Sequence, residues 1–289
     1  MSFGFLTTLG PSRHCYAQAR VLGQALSVCF PSIPRAVVGS ARHVAGLQHH
    51  GWQLVASEDK DLQRGFESKL ELWKYTPFEH TLFLDVDILP VCSEAELEDT
   101  VAALRASEAP VAFFAERMTG EGDHQGTLVP ELKKRGVGNI WATRAGGHYF
   151  WSSEANAAAV FVRAKEIVEA QWPEVIRYKP AISGQWHTPD EVVVSIALAQ
   201  LYSEAVLPGA GDFMTARQFQ TGGTGARFVH FIDDEHPWLY QQLGREIGVS
   251  RFSLGAATFW WAYKMSRKAF WHYARGGDNR IRTSRQKND

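Results

Sequence analysis

The run of residues 81–89, Thr-Leu-Phe-Leu-Asp-Val-Asp-Ile-Leu, sets the tightest constraint on what this chain can fold into. It reads as a buried β-strand, yet it carries two carboxylates, Asp85 and Asp87. Burying a charge is costly unless it is paired or bound to a metal. At a strand's last turn the chain bends, and both carboxylates can reach one ligand. In open α/β sheets ligands bind beyond the carboxyl ends of the strands. A carboxylate pair there is a natural seat for a divalent cation carrying a diphosphate. A solvated strand-end turn is the plainer alternative.

A second cluster lies at residues 228–238. A short apolar strand ends in His230, and His236, Pro237 and Trp238 follow six to eight residues on. Imidazole and carboxylate together can hold a hard or borderline cation and leave positions open for substrate oxygens. A hydrogen-bonded histidine at a core edge is the alternative for His230.

Strand-like and helix-like segments alternate through the first half. Residues 3–9, 35–39, 52–56, 81–89 and 111–115 read as strands, and residues 15–29, 67–75 and 93–107 as helices. Ser93 with Glu96 three residues on is a capping-box pattern. Such alternation predicts an α/β fold with a mainly parallel central sheet flanked by helices. Further on, residues 147–151 read as a strand, and residues 156–170 and 189–201 as helices. Residues 117–147 are polar and glycine-rich, a length of loop that is usually functional or disordered.

Charge divides the chain. Residues 251–289 hold nine Lys/Arg and two acids, a balance of +7, whereas the rest carries −8. An acidic body with a basic tail points the tail toward an anionic surface. Cys15, Cys29 and Cys92 fit neither a metal-binding spacing nor a disulfide framework, and read as reduced thiols of a cytoplasmic chain. The N-terminus lacks the marks of a signal peptide, and no stretch is long and apolar enough to span a membrane.

Several phosphate cradles are missing. There is no Gly-x-Gly-x-x-Gly after a strand, no Walker-type loop and no serine nucleophile elbow. The glycine-rich residues 221–225 could approach a phosphate through backbone N–H groups, but read first as a flexible connector. An aspartyl-phosphate phosphatase would carry its Asp-x-Asp on the first strand with Thr or Val two residues on, where this chain has Leu89.

Taken together, the two clusters resemble those of the family 8 retaining glycosyltransferases, the glycogenin-like and lipopolysaccharide galactosyltransferase-like group of GT-A fold. The family's Leu-Asp-x-Asp is matched by residues 84–87. Its His-x-x-Gly-x-x-Lys-Pro-Trp is matched at His230, Pro237 and Trp238, with Asp233 in place of the Gly and His236 in place of the Lys. Lys69 stands sixteen residues before Asp85, where the family usually has a basic residue. The likeness spans roughly residues 1–240.

The resemblance implies a Mn²⁺- or Mg²⁺-dependent transferase moving a hexose, with retention, from a nucleotide-diphosphate sugar, expected to be UDP-linked, to a hydroxyl of a glycan, glycolipid or protein. It implies Asp85, Asp87 and His230 as metal ligands, with Asp85 also reaching the ribose. Lys69 and His236 would add positive charge at the leaving diphosphate, and neutral His236 would do so less well than Lys as pH rises past the imidazole range. Thr7, Thr8, Gly146 and Gly147 are candidates for donor contacts. Thr7 and Thr8 also read as ordinary strand-end threonines, and Gly146 and Gly147 as a tight turn. Asp190 is the candidate for the donor sugar's hydroxyls, and reads equally as a helix N-terminal acid favoured by the dipole.

In the tail, residues 256–274 place Phe259, Trp260, Tyr263, Phe270 and Trp271 near one helical face with Lys264, Lys268 and Arg275 alongside. This predicts an interfacial helix over residues 256–275 that meets an anionic membrane. A helix packed on the body is the alternative. The expected organisation is a GT-A catalytic domain over residues 1–250 and a basic, aromatic C-terminal helix and tail over residues 251–289. No nucleic-acid partner is expected. The rival functions are a catalytically silent sugar- or nucleotide-binding relative, kept open by Asp233 and His236, and a sugar nucleotidyltransferase, for which residues 10–13 are a poor pyrophosphate loop.

Overall fold

Alternation along the first strand decides the layers. In β1 (Phe3–Thr8), Phe5 packs on one face of the sheet and Leu6 on the other, and both are fully buried. A strand covered on both faces belongs to an α/β sheet with helices above and below. The computed structural model describes residues 2–9, 12–57, 65–106, 110–113, 116–118, 140–142, 149–152, 155–170, 190–202, 213–223, 225–231 and 237–274.

After β1 come α1 (Arg13–Cys29), β2 (Arg35–Gly39), α2 (Ala41–Val44) and β3 (Gln53–Ala56). A 3₁₀ segment, Gly65–Lys74, then leads to β4 (His80–Phe83), β5 (Ile88–Pro90), α3 (Glu94–Ala106) and β6 (Val111–Phe113). A short antiparallel pair, β7 (Glu116–Met118) with β8 (Ile140–Ala142), occupies the described ends of the stretch expected to be one long loop. Next are β9 (Tyr149–Ser152), α4 (Ala155–Glu169), α5 (Asp190–Leu201), β10 (Phe213–Thr215) and α6 (Ala216–Gln220). The chain closes with β11 (Phe228–His230), α7 (Pro237–Ile247) and α8 (Arg251–Ala274).

The main sheet has the order β3-β2-β1-β4-β9-β6. β3, β2, β1 and β4 run parallel, and β9 is antiparallel to both β4 and β6. The order reverses between β1 and β4, because the chain first builds outward through β2 and β3 and then returns to β1's other side. That reversal opens a crevice beyond the carboxyl ends of β1 and β4. One face of the sheet, with Phe5, Val37, Leu82 and Phe150, is covered by Leu22 and Leu26 of α1 and Leu97 and Val101 of α3. The other, with Leu6, Val38, Phe83 and Trp151, is covered by Val160 and Phe161 of α4 and Ile196 and Leu198 of α5. Each such buried side chain contributes about 1.5–3 kcal/mol.

The apolar run expected as one strand is split. β4 ends at Phe83, and Leu84 keeps one further bond by donating its N–H to the Leu6 carbonyl. β5 then leaves the main sheet for a second one of order β10-β11-β5. The two aspartates thus sit in the connection between the two sheets rather than inside a ladder.

Two helix ends are set by local chemistry. The Ser93 hydroxyl accepts from the Glu96 N–H, and the Glu96 carboxylate accepts from the Ser93 N–H at 2.7 Å, the expected capping box. At the end of α7, Gly248 adopts φ +100°, and the Val249 N–H donates to the Gly244 carbonyl at 2.8 Å. This Schellman turn stops α7 and swings α8 back across it. Leu254, Ala257 and Trp261 of α8 are buried against Ala17, Val21 and Ala25 of α1 and against Tyr240 and Leu243 of α7. Phe252, Phe259 and Tyr263 face outward.

Helix α1 lies close to the chain just before β3 because Gly23 has no side chain. A Cβ there would overlap the indole nitrogen of Trp52 and stand 2.5 Å from the His50 carbonyl oxygen. Trp52 cannot simply swing away, since its indole N–H donates to the Ala19 carbonyl at 2.8 Å. Gly23→Ala is expected to lower stability by about 1–3 kcal/mol through overpacking, measured by guanidinium unfolding of the purified chain.

Candidate functional site

The site is built where the two sheets meet. β5 and β11 pair antiparallel with Ile88 opposite His230, and the Phe231 N–H donates to the Asp87 carbonyl at 3.0 Å. This ladder fixes the turn holding Asp85 and Asp87 against the end of β11. As a result the His230 Nε2 lies 3.1 Å from the Asp87 Oδ1. One ligand atom each from Asp85, Asp87 and His230 fall within 4.8 Å of one another. Oxygen ligands sit about 2.3–2.6 Å from Ca²⁺ and about 2.0–2.1 Å from Mg²⁺. The three groups are therefore spread over about twice a metal–ligand bond, and one ion between them can reach all three with small side-chain adjustments.

Lys69 lies on the other side of Asp85. It is carried by the 3₁₀ segment, where a helix was expected, and it is buried. Its Nζ stands 3.0 Å from the Asp85 Oδ2 and 3.3 Å from the Asp190 Oδ2, and 5.5 Å from the centre of the Phe83 ring. Asp190 is the first residue of α5, where the helix dipole favours an acid, and it too is buried. The segment holding Lys69 is anchored nearby by the buried Glu71, which pairs with Lys74 and with Lys165 of α4.

Three carboxylates against one lysine leave a formal surplus of two negative charges when His230 is neutral. That surplus matches a divalent cation. The carboxyl groups respond to it. Burial, followed by the neighbouring Asp87, pushes the Asp85 carboxyl above its ordinary range, while Lys69 pulls the other way. Burial is also the largest influence on Asp87 and raises it, but the charge of His230 and the hydrogen bond from it together bring Asp87 below the ordinary range. The chemistry of this donor set, two carboxylates and an imidazole with an uncompensated charge, fits a hard or borderline dication such as Mn²⁺ or Mg²⁺.

Of the residues singled out in the sequence, Asp85, Asp87, His230, Lys69 and Asp190 come together here. Thr8 is half-buried at the end of β1, its hydroxyl 3.4 Å from the Val38 carbonyl. Thr7 is fully buried, and its hydroxyl has no hydrogen-bond partner among the described residues. Gly146, Gly147, Asp233 and His236 lie outside the described residues. Pro237 opens α7, a position suited to its fixed φ and missing N–H, and Trp238 beside it is exposed.

One group near the site escaped the sequence reading. Tyr240, in the first turn of α7, is fully buried, and its ring meets Phe231 edge-on at 4.9 Å. Burial, and then the negative charge of Asp87, hold its phenol well above the ordinary tyrosine range. Reading Pro237 as a helix start would have placed Tyr240 in the first turn of that helix.

Neither a family sequence model nor a curated protein sequence matches this chain. Solved structures do. The galactosyltransferase LgtC, solved with donor and acceptor sugar analogs, aligns with 87% of this chain and 99% of its own at TM-score 0.55 and 12% identity. The glycosyltransferase GlyE of Streptococcus pneumoniae TIGR4 aligns with 91% of this chain and 65% of its own at TM-score 0.54 and 11% identity. Mouse xyloside xylosyltransferase 1 aligns with 81% of this chain and 99% of its own at TM-score 0.50 and 12% identity. The fold is thus the GT-A α/β fold of glycosyltransferases, with a mainly parallel central sheet flanked by helices.

Lys69 is the cation shared by the buried Asp190 and the half-buried Asp85. Lys69→Met is expected to cost about 3–5 kcal/mol at pH 7, because a buried charge loses its partner. The sign with pH follows from Asp85. Its folded-state carboxyl is raised, so the penalty for ionising it is full above that raised value and vanishes below the unfolded value. Denaturant unfolding at pH 7 and pH 5 should therefore show a smaller deficit for the variant at the lower pH.

Proposed function

We propose that this chain is a divalent-cation-dependent glycosyltransferase, moving a hexose from a UDP-sugar to a hydroxyl acceptor with retention at the anomeric carbon. The observation that carries this reading is the Asp85, Asp87 and His230 cluster, which stands beyond the carboxyl ends of β1 and β4 in a fold shared with solved glycosyltransferases. Asp85, Asp87 and His230 would hold Mn²⁺ or Mg²⁺. The ion, when bound, screens the diphosphate and acts as a Lewis acid for the departing nucleotide.

The chain's own residues divide the remaining work. Lys69 holds Asp85 and Asp190 in fixed positions and keeps positive charge at the rim of the diphosphate site. Asp190, at the start of α5, would accept hydrogen bonds from the donor sugar's hydroxyls. Thr7 and Thr8 at the end of β1, with Gly146 and Gly147, would contact the donor, and His236 would stand by the leaving phosphate. Residues 1–250 would form the catalytic unit.

The C-terminal helix would bring the enzyme to an anionic membrane surface in the cytoplasm. Its outward Phe252, Phe259 and Tyr263 precede the basic end of the chain. No described helix is long and apolar enough to cross a membrane.

The replacement of Gly and Lys by Asp233 and His236 favours a second reading, a catalytically silent relative that binds nucleotide or sugar for recognition. Turnover of the donor separates the two, and release of pyrophosphate from a nucleoside triphosphate would instead mark a nucleotidyltransferase.

Calorimetric titration of UDP into the full chain, with Mn²⁺ and then with EDTA, tests the donor site. Binding is expected only with the metal, and Asp87→Ala should weaken it by at least tenfold, since truncating a carboxylate that faces a cation commonly costs more than 1.4 kcal/mol. Equal binding in EDTA would overturn the cation-dependent donor site.

A further inference from the structure

Helices α1 and α8 pack against each other, and neither contains an aspartate or glutamate, although the chain has 31 of them. An acid-free strip on an otherwise acidic body suits an anionic partner. The outer side of α8 is also apolar. Phe259 and Tyr263 follow Phe252 by seven and eleven residues, which brings the three rings within about 40° of arc on one face. All are exposed, Phe252 to 75%, Phe259 to 63% and Tyr263 to 47%. The half-buried Trp260 meets Phe259 edge-on at 5.4 Å and Tyr263 edge-on at 5.5 Å, so these rings form one patch. Large rings grouped in this way on a surface mark an interaction site.

The patch is edged by arginines from the other helix. The guanidinium of Arg13 stands 5.3 Å over the Trp260 ring, and that of Arg20 stands 5.3 Å over the Phe252 ring. The later arginine meets the earlier ring, so the two helices run antiparallel and the arginines line the patch along its length. Neither guanidinium bonds a carboxylate among the described residues. Stacking on a ring leaves the in-plane N–H groups of an arginine available to a phosphate. A second copy of the chain would set this acid-free strip against itself, like charge to like. An anionic bilayer instead rewards both features, because rings settle at the headgroup boundary while cations reach lipid phosphate.

We propose that α1 and α8 together form a docking platform for an anionic phospholipid bilayer, with Arg13 and Arg20 binding lipid phosphates while Phe252, Phe259 and Tyr263 enter the headgroup boundary. The idea rests on the reading of α8 as an interfacial helix, and adds to it a second helix and two headgroup sites. Helix α1 follows β1 and leads back to the parallel β2, so its first residue, Arg13, stands at the carboxyl end of the sheet. That is the end at which the crevice opens, and the platform holds it close to the bilayer.

Co-sedimentation of the full chain with phosphatidylcholine vesicles, with and without about one-third phosphatidylglycerol, tests the platform. Arg13→Gln/Arg20→Gln is expected to bind the anionic vesicles about thirtyfold more weakly than the wild type at low salt, each charge at such a surface being worth about fivefold. Arg13→Lys/Arg20→Lys keeps the charges and should stay within about threefold of the wild type. Wild-type binding retained within twofold by the glutamine variant would overturn the platform and leave docking to the basic tail alone. A loss as large in the lysine variant would tie the effect to the stacked rings rather than to charge, and would overturn it too. Failure of the wild type to bind anionic vesicles would remove the membrane reading itself and the platform with it. In that case a wild-type dimer in sedimentation velocity, dispersed by Phe259→Ser, would assign the face to a second copy.

Discussion

The pairing of β5 with β11 is the contact on which the rest of the site depends. Alone, the turn after β4 would be a loop carrying two acids. Paired, it is held by the Phe231 N–H on the Asp87 carbonyl and by the register of Ile88 against His230. A register slip of one residue would turn His230 to the opposite face. Because β4 belongs to the main sheet and β5 to the second, the turn is strung between two ladders and cannot drift from either. The ligands of a cation, drawn from residues some 140 positions apart, are in this way positioned by backbone hydrogen bonds rather than by the side chains themselves.

Electrostatics then explains why so many acids tolerate one place. Asp190 reaches the cluster from the start of α5, and Lys69 from the segment before β4, and the lysine lies between Asp190 and Asp85. Lys69 neutralises part of the charge and leaves a surplus for an added cation. The opposite displacements of Asp85 and Asp87 are the imprint of this arrangement. Asp85 is the harder to ionise, raised by burial and by Asp87, while Asp87 is kept ionised chiefly by His230. A site that is stable without its ion yet still attracts one needs both features.

Much of this was legible in the chain. The strands at β1 and β2, the helices α1, α3, α4 and α5, and the capping box at Ser93 follow from apolar spacing and from short-range signals, and these forces act locally. Asp85, Asp87 and His230 could be singled out because charges and an imidazole at strand ends are unusual enough to stand out, whereas Lys69 came only from the family resemblance. The division of residues 81–89 could not be read, since an apolar run looks the same whether it serves one sheet or two. The bond from Lys69 to Asp190 was equally hidden. It joins residues over a hundred positions apart, and only the packing of α5 on the sheet brings them together.

The C-terminal helix shows the same limit from the other side. Its aromatics suggested a single apolar face turned to a membrane, but the helix is longer than that pattern and uses its residues in two directions. Leu254, Ala257 and Trp261 point inward to α1 and α7, while Phe252, Phe259 and Tyr263 point outward. Aromatic content alone cannot separate these roles, because both burial and an interface reward large apolar rings. What separates them is the Schellman turn at Gly248, which fixes the direction in which α8 leaves and so decides which side meets the body. Through Trp261 and Tyr240 the inward side ends against Phe231, next to His230. The first turns of α8 are therefore linked, ring against ring, to the residue that follows His230.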